Sequence, residues 1–152
     1  RKKRPSTPRT ETELANPSRG DGKVLKTLLL LGAAGAVGAV SRFALAGMMQ
    51  NWCGVHFPWG TLAVNSLGCF LFGLVWPLGE EHVVMTGQAR FILLTGFMGS
   101  FTTFSTYAFD ASRYIEAERW PQAISIFGLH NVLGLCGMLA GIIESRWLTT
   151  GV

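Results

Sequence analysis

After a polar opening, four long apolar stretches alternate along the chain with short polar breaks. Residues 1–22, RKKRPSTPRTETELANPSRGDG, hold almost no large apolar side chains and include three prolines. A segment of that kind cannot bury enough apolar surface to offset its ordering entropy, so a disordered basic tail is predicted. It is not the charged region of a signal peptide, because the apolar stretch behind it is too long and lacks a clear cleavage site. The apolar blocks run from Val24 to Met49, Trp59 to Gly79, Ala89 to Tyr114 and Pro121 to Trp147. Each reaches the roughly 20 residues that a helix needs to cross the hydrocarbon core. Turn or charge signals separate them at Asn51 to Pro58, Glu80 to Gln88 and Glu116 to Pro121. Trp52, Trp59, Trp120 and Trp147 fall at block ends, as an interfacial aromatic belt would place them. The pattern predicts an all-α integral membrane protein, with a tail over 1–22 and a four-helix transmembrane domain over 23–152.

Composition narrows the class. Of 152 residues, 49% are apolar and only 14% charged, too little charge to cover a soluble domain of this size. A soluble enzyme, a secreted disulfide scaffold and a disordered protein are all disfavoured. The 19 glycines fit closely packed membrane helices. Gly32, Gly35 and Gly38 stand three apart in GAAGAVGAVSR, where they predict close helix approach. The spacing is not a dinucleotide fingerprint.

Charge is distributed unevenly. Eight of the 13 basic residues lie at or before Lys26. A basic tail can bind nucleic acid, but ahead of four apolar blocks it reads better as a topology signal or membrane-surface contact. With the N-terminus inside, Lys23, Lys26, Arg90 and Arg146 lie inside; Arg113 and Arg119 lie outside, joined by Arg42 if it reaches that interface. So small a bias leaves the core indifferent to orientation, and the tail pushes toward N-inside. Cys53, Cys69 and Cys136 show no C-x-x-C spacing, and His56, His82 and His130 are scattered, so no metal cluster is visible.

Polar residues inside the blocks carry the candidate chemistry. Block three contains GFMGSFTTFSTY over 96–107, with two glycines and five Ser or Thr residues at mid-span. Two readings stand: a helix break that frees backbone groups to hold a small ion, or a continuous helix whose Ser and Thr bond back to the preceding turn. Asn65, near the middle of block two, either bonds a neighbouring helix or faces a pore. Phe101, Phe104 and Tyr107 recur at three-residue spacing; their ring edges carry positive potential, although core or lipid-facing roles are commoner for such rings. No acid stands near the centre of any block, which disfavours a proton-coupled transporter, and no nucleophile–base pair or ligand set supports an enzyme.

GAAGAVGAVSR in block one, GTLAVNSLG in block two and GSFTTFSTYAFD in block three together resemble the Fluc (CrcB) family of fluoride channels. The three segments occur in order and span the core. The resemblance implies a four-helix subunit whose third helix breaks in mid-membrane. It further implies an antiparallel, dual-topology homodimer with two pores in the plasma (cell inner) membrane. Such a dimer exports fluoride passively and protects the cell from fluoride toxicity. It implies a structural sodium ion at the dimer interface, held by backbone carbonyls that match Gly99 and Thr102 by motif position. The fluoride pore would be lined by Asn65, Thr61, Phe104 and Tyr107, with Asp110 and Arg42 matching the family's acid and arginine.

Three departures accompany the resemblance. Tyr107 replaces a phenylalanine, Asp110 replaces the usual glutamate, and block four offers Ser125, His130 and Asn131 in place of a hydroxyl track. The basic tail leaves open a heterodimer with a related, oppositely oriented chain. For mechanism, Asn65, Thr61 and Ser105 would donate hydrogen bonds to fluoride, with Asp110, Arg42 and His130 as gating or vestibule candidates. Two other classes compete. A small multidrug-type transporter requires an embedded acid in block one, which is absent, and a non-conducting subunit of a membrane complex would pass no ions alone.

Overall fold

The computed structural model describes residues 18–78 and 85–150. Among these residues every regular element is helical, with no strand. Helix α1 spans Ser18–Cys53 and α2 spans Trp59–Leu78. Then come a short α3 over Gly87–Phe91, a π-helical stretch over Ile92–Met98, and α4 over Gly99–Phe101. Helix α5 covers Phe104–Glu116 and α6 covers Trp120–Thr150. Three helical stretches, Asp21–Cys53, Trp59–Leu78 and Trp120–Thr149, are long and apolar enough to cross a membrane.

The start of the first helix differs from the sequence expectation. Residues 18–22 belong to α1 rather than to the tail, and residues 1–17 lie outside those described. At ~1.5 Å per residue, α1 reaches about 54 Å, well beyond a hydrocarbon core of about 30 Å. Its first turns therefore extend past the apolar zone, which is why a polar sequence can be helical there.

Local signals explain the ends. Gly54, at φ +88°, closes α1 in the left-handed conformation that glycine adopts without steric cost, and its N–H donates to the Gln50 carbonyl at 3.0 Å. The Gln50 amide then stitches the following turn, donating to the Phe57 carbonyl at 2.9 Å and accepting from Gly60 N at 3.2 Å. Thr86 caps α3 by accepting from Ala89 N at 3.2 Å. Pro121 sits in the first turn of α6, where its missing N–H costs nothing.

Packing is backbone against backbone. Helices α2 and α6 form the most extensive contact, and a Cβ at Gly73 or Gly141 would collide with main-chain atoms of the opposite helix. Helix α1 packs on the π stretch in the same way: Gly38 lies against the Phe97 carbonyl, and a Cβ at Gly35 would stand 3.1 Å from Ser100 Oγ. Gly32 faces open space within the chain, so only two of the three spaced glycines serve this contact. Gln88 Nε2 donates to Thr27 Oγ1 at 3.0 Å, which ties the start of α3 to the first half of α1. At the other end the Tyr114 hydroxyl donates to the His56 carbonyl at 2.7 Å. The π stretch and α4 therefore run alongside α1, whereas α5 leaves it to pack on α6.

Candidate ion pathway

The sequence left two readings open for block three and two for Asn65, and one pair of hydrogen bonds bears on both. Between α4 and α5 the backbone of Thr102 and Thr103 is extended, at φ −83°, ψ 158° and φ −148°, ψ 112°. Asn65 on α2 faces this interruption. Its Nδ2 donates to the Thr103 carbonyl at 3.0 Å, and its Oδ1 accepts from Thr103 N at 2.8 Å. The partners are a backbone acceptor and a backbone donor, so they set the amide's orientation. The side chain stands in for a strand neighbour and satisfies both polar groups of a non-helical residue. One amide proton on Nδ2 remains uncommitted by this pair.

Hydroxyls finish the interruption. Thr103 Oγ1 caps α5 by accepting from Thr106 N at 3.2 Å, and donates to Thr106 Oγ1 at 3.0 Å. Ser105 Oγ lies 3.3 Å from the same Thr103 oxygen. Thr102 Oγ1 donates back to the Met98 carbonyl at 3.1 Å. Thr103 was not singled out from the sequence, although a Thr immediately ahead of an apolar residue at a helix start is a capping signal.

A cavity of about 380 Å³ opens beside the interruption. Asn65, Gly99, Thr102, Thr103, Phe104, Tyr107 and His130 all contribute to its wall, bringing together most of the sequence candidates. Phe104 is 78% exposed, whereas Tyr107 is only 7% exposed. Their rings stand 5.3 Å apart at 59°, so the ring edge of one approaches the other. Tyr107 also packs edge-on to Phe127 at 5.5 Å and against the His130 ring at 4.5 Å. His130 Nδ1 lies 2.9 Å from the Ile126 carbonyl, which can only accept, so the ring proton sits on Nδ1. Its Nε2 is buried without a partner. Asn131, the neighbouring wall residue, donates to the Phe127 carbonyl at 2.7 Å.

The remaining candidates lie outside this cavity. Thr61 Oγ1 donates to Asp110 Oδ2 at 2.7 Å, so the proton expected for an ion is committed to a carboxylate. Thr61 and Arg42 line a second cavity of about 440 Å³, which touches Thr103 and Thr106 from the α1 side. Asp110 opens onto a third, together with Gln50, Arg113 and Arg119. The two arginines give that mouth a positive rim that the sequence reading had counted only for topology. Ser125 turns back to the Pro121 carbonyl at 2.7 Å.

Residues 29–142 match a family model described as CrcB-like protein, Camphor Resistance (CrcB). A protein of Nitrosococcus oceani named Fluoride-specific ion channel FluC is 52% identical over 120 residues, covering 78% of this chain and 95% of the relative. A protein of Solidesulfovibrio magneticus with the same name is 43% identical over 123 residues, covering 81% and 98%. Another from Geobacter sulfurreducens is 41% identical over 125 residues, covering 82% and 100%.

Proposed function

This chain belongs to the CrcB family, and from that premise we propose that it is a fluoride-selective channel giving passive export across the plasma membrane. One observation carries the reading. Asn65 meets the Thr102–Thr103 interruption at the wall of a cavity edged by Phe104 and Tyr107. Two copies pair antiparallel, each crossing the membrane four times. The third crossing is made of Gly87–Phe101 and Phe104–Glu116, interrupted at Thr102 and Thr103.

Fluoride is small and strongly hydrated, so the pathway must replace much of its water shell with donors. The uncommitted Nδ2 proton of Asn65 is the full donor here; the Ser105 hydroxyl lies off this cavity wall with its proton turned to Thr103 Oγ1. The ring edges of Phe104 and Tyr107 are weaker positive sites, and weak sites let an ion leave as well as enter. Thr61 contributes by holding Asp110. Its hydroxyl fixes the position of that carboxylate without removing its charge. Arg113 and Arg119 on the same mouth raise the local anion concentration.

The carbonyls of Gly99 and Thr102 suit a hard monovalent cation, because unwound backbone carbonyls at the end of a half-helix are oxygen ligands with no competing charge. A sodium ion held there would supply a fixed positive charge beside the pores and lock the two copies together.

Fluoride release from liposomes containing only this purified chain tests the reading, with sodium present and chloride as control. Fast fluoride release without chloride release is expected. Absence of release from well-folded protein would overturn the one-chain channel.

A further inference from the structure

In a continuous helix each N–H donates to the carbonyl four residues back. Thr102 N still does so, reaching the Met98 carbonyl at 3.0 Å. The next donor in register is Thr103 N, whose helical acceptor would be the Gly99 carbonyl; it goes instead to Asn65 Oδ1 at 2.8 Å. Thr106 N would return to the Thr102 carbonyl in the same register; it goes instead to Thr103 Oγ1 at 3.2 Å. The two carbonyls released by these side-chain bonds, Gly99 and Thr102, both belong to residues on the cavity wall.

We infer that Asn65 is the positioning residue of the cation site: by holding the Thr103 backbone extended, it presents the Gly99 and Thr102 carbonyls to sodium. The inference rests on the cation reading proposed above. It assigns Asn65 two tasks on one amide. Oδ1 and one Nδ2 proton hold the interruption open, and the other Nδ2 proton faces the anion path. Thr103 Oγ1 is the second positioning group, acting on the Thr102 carbonyl. Asn65 touches no cation itself. Neither function of the side chain can be altered without the other, so the anion path and the cation site share one structural element.

The experiment follows thermal unfolding of the purified full chain in detergent, in fluoride-free buffer. Sodium is titrated against N-methyl-D-glucamine at constant ionic strength. The wild-type chain is expected to melt at rising temperature as sodium is added, with a definable midpoint. Asn65→Ala is expected to move that midpoint to sodium concentrations at least about tenfold higher, the usual cost of losing a group that orients ligands. A purely structural role would instead lower the melting temperature equally with and without sodium and leave the midpoint in place. That result would overturn the inference while leaving the cation reading intact. A wild-type chain insensitive to sodium would overturn both. If Asn65→Ala does not fold, Thr103→Val keeps the side-chain shape, removes the cap on Thr106 N and is expected to raise the sodium midpoint in the same way. An unchanged midpoint in Thr103→Val would then overturn the inference. Phe104→Ile alters the anion path alone and is expected to keep the wild-type midpoint.

Discussion

At the residue scale, polar groups here are committed to partners within the protein before they are offered to an ion. Asn65 gives two of its hydrogen bonds to Thr103, and Thr61 gives its only proton to Asp110. The aromatic pair is different, because a ring edge needs no partner and Phe104 stands largely exposed. Phe104→Ile keeps apolar bulk and removes the edge. At roughly 1 kcal/mol for such a contact, fluoride flux in liposomes should fall about fivefold. Tyr107→Phe preserves the ring contacts to Phe104, Phe127 and His130, so flux should change by less than about twofold. Thr61→Val strands the Asp110 carboxylate. Asp110 is only part-buried and opens onto a cavity, so the loss is that of an ordinary hydrogen bond, about 1 kcal/mol, which should appear as a slightly lower melting temperature in detergent. The sequence pointed to Asn65, Phe104 and Tyr107 as polar and aromatic anomalies in grease. It could not tell that Asn65 serves the backbone, because the partner lies 38 residues away.

At the element scale, glycine decides which helices touch. Apolar side chains gain little by meeting each other in lipid, so close backbone approach through small residues supplies the packing energy. Gly73 and Gly141 place the α2 and α6 main chains in direct contact, whereas Gly128 on the same α6 has open space. Gly141→Ala should therefore destabilise by about 1–3 kcal/mol, and Gly128→Ala should be neutral or slightly stabilising in thermal unfolding. Equal effects at both positions would show that α6 packs differently. The extended pair at Thr102–Thr103 is the counterpart of this tight packing. Gly68 leaves room for the Thr102 methyl, so α2 both makes space for the interruption and pairs its backbone through Asn65. Sequence periodicity located a weak point over 96–107, but a Ser/Thr-rich helix and a broken one share the same composition.

At the scale of the whole molecule, much apolar surface is uncovered in the single chain. Val37, Val40 and Phe43 on α1 and Phe104 on α5 are all largely exposed. Lipid or a second copy must cover such a surface. Charge bears on orientation. Beyond residue 22, the flanking Lys and Arg nearly balance between the two ends of the bundle, and the surplus lies in the tail. Neutralising Arg9, Arg19, Lys23 and Lys26 to Gln should shift a reporter fused to the C-terminus from a partial excess on one side, with both orientations populated, toward an even distribution. An unmoved reporter would assign orientation to the core instead.

The sequence by itself determined the class of this protein. Long apolar blocks with tryptophan at their ends admit only membrane-spanning helices, because unpaired backbone is too costly in hydrocarbon. It also determined the candidate residues, since polar groups are conspicuous against so apolar a background. Tertiary structure alone decided what those residues do. Whether block three bends, which carbonyls it releases and where Thr61 spends its proton all depend on the register of α2 against α4 and α5. That register is set by glycine contacts and side-chain-to-backbone bonds between residues far apart in the chain. Composition carries no record of such distances.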